Sequence, residues 1–534
     1  MSTGFDGSIK ELQEQSRRLA QSDAAREEWF FEVAERGDVV QQAILIWTKA
    51  IDQRQASKED GERIVEAGIL EAQAEQMQRS ILCARIVRNA VVGSSECQKL
   101  CYEGVPSIIR ILWTTTSFTF EQDDQVHLLN RALVQLLSNT ITANADLQSR
   151  LWNQILCSDN DEADKGSRTG ADLLGRLLQS GDAPTSTAAQ VLLLNCIIDS
   201  NERCHSLSTS RSGAKLLSSL LELIQKHLDS DDGGDDSHSS IIHQKQYESL
   251  GVMYTFFENL FDLQLFGAIY ALLAAADISG QVSITSLISQ SQLTLLRLLD
   301  TYLHNGASTY GKKSIEDKAP KQGLDELIAS FESLASWAEK AMKDALQGGS
   351  KGLVDPRLIE VHIGLVLLLQ CLITLGMKTE NSEGEDSDIA NVARVILGQM
   401  RSMPFVQQLV SLLHTLAEFA PPISPFRPSG EKARKTPIQP PSGHAITSTG
   451  AAVSTDASDS GPALDNLKRD IVNLLGVLSY KRASDDIEAI LLVQDTVREK
   501  GGLFDVMNMT QLDEHNPCEC PLREMDEYSL IFFF

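Results

Sequence analysis

Three times in this chain an apolar helical run ends on an asparagine, and nine residues further on the next helical run carries a polar or small residue. The pairs are Asn89 with Gln98, Asn139 with Gln148, and Asn195 with Cys204. In the first, "ILCARIVRNAVVGSSECQKLCYEGVPSIIRILW", the pattern predicts a helix ending near Asn89, a turn, and a helix through Gln98 and Leu100. A break at Gly104 and an apolar helix from Val105 and Pro106 follow. Pro106 suits a first helical turn, where a missing N–H costs little, and Gly104 would give the backbone freedom for the bend. The second copy reads "LLNRALVQLLSNTITANADLQSRLWNQIL", and the third places a small-residue break at Ser212, Gly213 and Ala214 before its next apolar helix. A unit of this kind has more apolar surface than it can cover alone, so it is stable only when stacked on its neighbours.

These units resemble armadillo repeats, in which three helices per repeat stack to bury a continuous core. Their separations, 50 residues from Asn89 to Asn139 and 56 from Asn139 to Asn195, are longer than the roughly 40 to 47 of a regular repeat, which implies inserted loops. Segments 248–305 and 354–419 show only apolar helix pairs. Runs alternating between apolar and polar residues are scarce throughout. The fold expected is all-α, an armadillo- or HEAT-like α-solenoid.

Eight of the 15 prolines fall in the segment from Pro421 to Pro462, which is otherwise rich in Ser, Thr and Gly. Such a composition buries too little apolar surface to offset the entropy of ordering, so a disordered linker is expected there. The chain then divides into repeats over 1–420, a linker over 421–463 and a helical domain over 464–534. Shorter interruptions at 229–240, 304–323 and 380–388 read as loops between helices.

Lys and Arg total 47 against 73 Asp and Glu, a net charge of -26, and a surface of that sign repels phosphate backbones. Nucleic acid is therefore not an expected partner. The nine cysteines follow no framework spacing and suit a reducing compartment, where a buried thiol packs as a small hydrophobe. The amino-terminal "MSTGFDGSIKELQEQ" lacks the basic and apolar regions of a secretory signal. The most apolar run, from Leu358, contains Glu360, His362 and Gln370 and reads as a buried helix rather than a membrane span.

From Leu464 the sequence is "LDNLKRDIVNLLGVLSYKRASDDIEAILLVQDTVREKGGLFDVMNMTQLDEHNPCECPLRE". Over about seventy residues it resembles the carboxy-terminal domain of the ataxin-10 family. The matching positions are Lys468, Asp470, Ile471, Leu475, Gly476, Leu478 and Tyr480, then Gln494, Asp495, Val497, Arg498, Glu499, Gly501 and Gly502, and finally Asp513, Asn516, Pro517, Arg523 and Glu524. Three departures stand out: about eight extra residues before Gln494, Val477 where the family has Asn, and "CEC" after Pro517. The resemblance implies a further helix after Arg-Glu that closes the stack, of which "MDEYSLIFFF" keeps at most the first turns. A genuine open end would favour self-association or a partner helix; an altered final reading frame would give the same residues.

His515, Cys518 and Cys520 supply only part of a zinc or copper ligand set. A metal-handling function built on them is the alternative from a different class. No Gly-x-Ser-x-Gly elbow occurs, and "GGSKG" at 348–352 lacks the context of a phosphate loop, so neither an enzyme nor a cofactor is expected. For Asn89, Asn139 and Asn195 two readings stand. Either each amide caps its own helix end and turn, or, as the armadillo resemblance implies, it faces a groove and binds a partner's backbone. The tryptophans usual beside such groove asparagines are missing. The resemblances together imply a cytoplasmic, non-enzymatic scaffold that binds proteins, cytoskeletal or cell-division factors among them, with a role in cytokinesis.

Overall fold

The computed structural model describes residues 5, 7–34, 39–59, 67–156, 170–231, 240–275, 286–305, 323–347, 355–378, 388–420, 464–480 and 487–508. Among them are 22 α-helices, one 3-10 turn at Phe118–Phe120 and no strand. Two compact units divide the chain, Met1–Ile224 with Ser237–Phe256, and Gln225–Asp236 with Phe257–Phe534. The first holds α1 (Ile9–Gln21), α2 (Asp23–Ala34), α3 (Val39–Glu59), α4 (Ala67–Ala90), α5 (Ser95–Tyr102), α6 (Val105–Thr115), α7 (Asp124–Ile141), α8 (Ala145–Ile155), α9 (Gly170–Leu178), α10 (Ala183–Ile197) and α11 (Asn201–Thr209). Residues of α12 (Arg211–Asp231) and α13 (Ser240–Asp262) belong to both units. The second holds α14 (Phe266–Ala275), α15 (Gln290–His304), α16 (Asp325–Leu346), α17 (Arg357–Lys378), α18 (Asp388–Met400), α19 (Met403–Phe419), α20 (Leu464–Ser479), α21 (Ile487–Glu499) and α22 (Gly502–Asn508).

Within the first unit α1, α4, α7 and α10 pack in succession as one row, with α3, α5, α6, α8 and α9 against them. The middle of that row is buried on nearly every side. On α4 the side chains of Cys83, Ala84, Ile86, Val87 and Ala90 are all at most 1% exposed. Within the same stretch Arg85 and Arg88 are only half-buried. Trp47 of α3 is fully buried, and its indole N–H donates to the Ser80 carbonyl at 3.1 Å. In the second unit α15, α17 and α20 form one row, while α14, α16 and α19 with α21 and α22 form another. Phe331 on α16 meets Phe405 on α19 at 5.3 Å between ring centroids. The architecture is an all-α, armadillo/HEAT-like solenoid arrangement of stacked helical repeats.

α17, the most apolar run, is long and apolar enough to cross a membrane, and it is packed within its own unit: Val361, Leu365, Leu368, Leu369 and Leu372 are fully covered. The carboxy-terminal segment does not stand apart as the proline-rich stretch suggested. α20 packs on α17 and α19, and Val477 sits in a notch opened by Gly376, where an added Cβ would lie 2.6 Å from a Val477 methyl. The stretch 421–463 itself lies outside the described residues. So do most of the interruptions at 229–240, 304–323 and 380–388, although α12 continues to Asp231.

Two glycines act differently from the sequence reading. Gly104 caps α6 with an ordinary φ of -84°, and what requires glycine is space, since a Cβ would meet a Val40 methyl of α3 at 2.7 Å. Gly213 marks no break, because α12 begins at Arg211; there a Cβ would collide with the Leu207 carbonyl. Pro106 falls in the first turn of α6 as expected, and Pro184 and Pro404 do the same for α10 and α19.

Asp123, 6% exposed, combines two tasks. It caps α7 by accepting from the Val126 N–H, and it accepts from Arg54 Nε at 2.8 Å and Nη2 at 3.2 Å, with Lys58 Nζ 3.3 Å away. Burial pushes its carboxyl up, but the Arg54 guanidinium, Lys58 and the cap outweigh burial and hold it below the usual carboxylate range. Its stabilisation is therefore complete above the unfolded value near pH 4 and is lost as pH falls through the lower folded value. Asp123→Asn is expected to reduce unfolding free energy at pH 7 by about 2 kcal/mol, with a smaller loss in acid. Urea unfolding at pH 7 and pH 3 checks this; an equal loss at both would contradict it.

Candidate functional site

The three asparagine-anchored units share a local geometry that starts from a backbone problem. The last carbonyls of each row helix have no intrahelical partner, and the chain must reverse into the next helix within a few residues. The residue four positions after each asparagine takes a left-handed conformation: Gly93 at φ 75°, Ala143 at 55° and Asp199 at 56°. The next residue, Ser94, Asn144 or Ser200, caps the following helix by accepting from the N–H of Cys97, Leu147 or Arg203. A non-glycine residue at that φ is uncommon, so its recurrence in two of three units marks a turn fixed from outside.

The asparagine amides donate to a neighbouring helix rather than to their own helix end and turn. Asn89, 7% exposed, donates from Nδ2 to the Ser16 carbonyl of α1 at 2.9 Å, while its Oδ1 accepts from the Arg88 guanidinium. Asn139 donates to the Arg88 carbonyl of α4 at 3.1 Å. Asn195 donates to Ser138 Oγ of α7 at 2.9 Å and to Thr142 Oγ1 at 3.1 Å. Each amide thus reaches back to the preceding row helix, and the last two contact the residue just before the previous asparagine. The three form a ladder between repeats, with Asn139 and Asn195 half-buried.

The partner position closes the same joint from the other side. Gln98, on α5, donates from Nε2 to the carbonyls of Asn139 at 3.0 Å and Thr142 at 2.9 Å, and its Oε1 accepts from Asn144 Nδ2 at 3.1 Å. One side chain thus holds the end of α7 and the cap of α8. In the next joint Gln148 accepts from Arg203 Nη2 at 2.9 Å, and Arg203 itself covers the carbonyls of Cys196 and Ile198. Arg203, adjacent to the Cys204 that the spacing singled out, is the residue sequence reasoning missed. A charged side chain just before a buried position in a repeat is the only signal it left. Cys204 is 1% exposed and packs as a small hydrophobe.

The carboxy-terminal motif builds a related joint. Arg401, 5% exposed and placed between α18 and α19, donates to the Leu478 carbonyl at 3.1 Å and the Tyr480 carbonyl at 3.2 Å, securing the end of α20. Gln494, 9% exposed, donates to the Ser479 carbonyl at 3.3 Å. Asp495, Arg498 and Glu499 are exposed on α21, with a surface pair of 2.9 Å between Arg498 and Asp495. The two glycines divide their work. Gly501 takes a φ of 80° to end α21, and Gly502 lets α22 approach Val410 of α19, whose methyls would lie 3.0 and 3.1 Å from a Cβ. Lys468 and Asp470 are buried; burial raises the Asp470 carboxyl, which Arg469 only partly offsets.

Asp513, His515, Asn516, Pro517, Cys518, Cys520, Arg523 and Glu524 lie outside the described residues. Among the described residues no group of three or more His, Cys, Asp or Glu side chains could hold a metal ion. The six described cysteines are buried free thiols, and burial pushes Cys196 up to about 12.

Asn89 also borders an open cavity of about 700 Å³ among α1, α4 and α7. Volumes of roughly 300–1,000 Å³ are typical of ligand sites.

No protein-family model matches this chain, and no curated protein matches it. Among solved structures, a crystal structure of an engineered protein from the Northeast Structural Genomics Consortium covers 90% of this chain and 97% of its own, with 12% identity and a TM-score of 0.28. A likeness at that score carries no argument.

A ladder that couples repeats has a measurable weight. Asn139→Ala leaves a helix-end carbonyl of α4 without its donor and is expected to lower unfolding free energy by about 1–2 kcal/mol. Asparagines that served only a ligand would leave urea unfolding unchanged on substitution, and that result would remove the ladder from the account of stability.

Proposed function

We propose that this protein is a non-enzymatic protein-interaction scaffold, cytoplasmic and acting in cytokinesis as the ataxin-10 resemblance implies. The observation that carries the reading is the row of packed helices α1, α4, α7 and α10. It leaves Asn139 and Asn195 half-buried and places Asn89 at the edge of an open cavity, side-chain surface of the kind that binds proteins by shape and charge. The resemblance over 464–534 contributes the cellular role, and the buried positions Lys468, Asp470 and Gln494 are consistent with its use of those residues for folding.

Self-association belongs to the same proposal. On α21 and α22 the side chains of Ile487, Leu491, Leu492, Phe504 and Met507 are between 38% and 74% exposed, an apolar surface that favours a second protein surface over water.

Affinity capture from cells tests the reading, with the full chain compared against a version ending at Pro517. Cell-division or cytoskeletal proteins on both versions are the expected result. Loss of every partner on truncation, together with loss of a stoichiometric metal, would move the function to the segment holding His515, Cys518 and Cys520.

A further inference from the structure

The charge balance of the chain is reversed in one place. Asp and Glu outnumber Lys and Arg by 73 to 47, yet the cavity among α1, α4 and α7 is lined by Arg17, Arg85, Arg88 and Arg131 and by no carboxylate. Two of the four have acidic partners outside the cavity. Arg17 pairs with Glu14, both well exposed, an arrangement worth little in water. Arg131 reaches both oxygens of Asp182 through Nη2, at 2.9 and 3.1 Å, while its Nε is buried without a hydrogen-bond partner.

The other two arginines have no such compensation. Arg88 is bound by neutral acceptors, Asn89 Oδ1 and Gln135 Oε1. Arg85 stands one helical turn before it on α4 and has no ion pair among the described residues. Burial, and then the neighbouring Arg85 charge, lower the proton affinity of Arg88. A guanidinium nevertheless stays charged in a protein, so the repulsion persists. Two like charges, half-buried and adjacent, are stabilised by an anion that bridges them, and the planar fork of arginine suits a carboxylate in bidentate fashion. Leu82 and Ala132, 5% and 2% exposed, close the cavity floor.

We propose that this cavity binds an acidic peptide segment of a partner protein, with carboxylates on Arg85 and Arg88. Arg17 and Arg131, at the two sides, take flanking carboxylates. The occupant is chosen by chemistry: a cationic pocket in a chain of net charge -26 selects anions that the rest of the surface repels. The proposal rests on the protein-binding reading and names the chemistry of one partner.

The test is binding of a fluorescein-labelled peptide Glu-Glu-Leu-Glu-Glu to the full chain by anisotropy, with the peptide Gln-Gln-Leu-Gln-Gln as control. The glutamate peptide is expected to bind and to weaken as salt rises from 0.1 to 1 M, since the Debye length shrinks from about 10 to about 3 Å; the glutamine peptide is expected not to bind. Arg85→Glu with Arg88→Glu should weaken binding at least tenfold. Arg85→Gln with Arg88→Gln, which removes charge without adding an opposite one, guards against a folding defect and should also weaken it, with thermal unfolding confirming a folded chain. Absence of binding to the unaltered protein, or equal binding to a folded charge-neutral variant, overturns the proposal. If the peptide fails while affinity capture still returns partners, only the arginine site falls; if capture fails while the peptide binds, the cellular scaffold reading falls instead.

Discussion

The carbonyl groups at the ends of the row helices set the terms for the rest of the first unit. A stack of short helices multiplies helix ends, and each buried end leaves polar groups that cost free energy unless something donates to them. Here the donors come from adjacent repeats or from the next helix of the same repeat. Asn139 covers the end of α4 and Gln98 the end of α7, with Arg203 covering the end of α10 from the following helix. Because the ends of α4 and α7 are satisfied across repeats, hydrophobic stacking and hydrogen-bond satisfaction fix the same register there. This is how a divergent repeat with unequal spacing keeps a single packing.

The all-helical class and the joints were legible because their requirements are local. A left-handed residue, a cap and a buried polar side chain must occur at fixed offsets after a helix, so the nine-residue interval survives where the rest of the repeat has drifted. What the joints connect was not legible. The Asn139 donor finds Arg88 because α7 lies along α4, a relation set by packing between helices some fifty residues apart in sequence. The same distinction explains the glycines. Composition marks Gly104 and Gly213 as punctuation, whereas their need for space comes from Val40 and from the Leu207 carbonyl, which no local pattern shows.

The carboxy-terminal segment gives the complementary case. A proline-rich stretch reads as a boundary, yet α20 packs into the same unit as α17, with Val477 filling the notch at Gly376. Arg401 then serves the end of α20 much as Gln98 serves the end of α7. The arginine-lined cavity was hidden for a different reason. Arg17, Arg85, Arg88 and Arg131 are dispersed over more than a hundred residues, and the net charge points the opposite way until the helices are placed.

Amide hydrogen exchange of the full chain beside Gln98→Ala tests the coupling of adjacent repeats most directly. If the joints are held across repeats, residues 139–147 exchange about tenfold faster in the variant, the equivalent of roughly 1.4 kcal/mol, while α15, α17 and α20 are unchanged. Unaltered exchange at 139–147 would contradict it, since the end of α7 would then be held by packing alone.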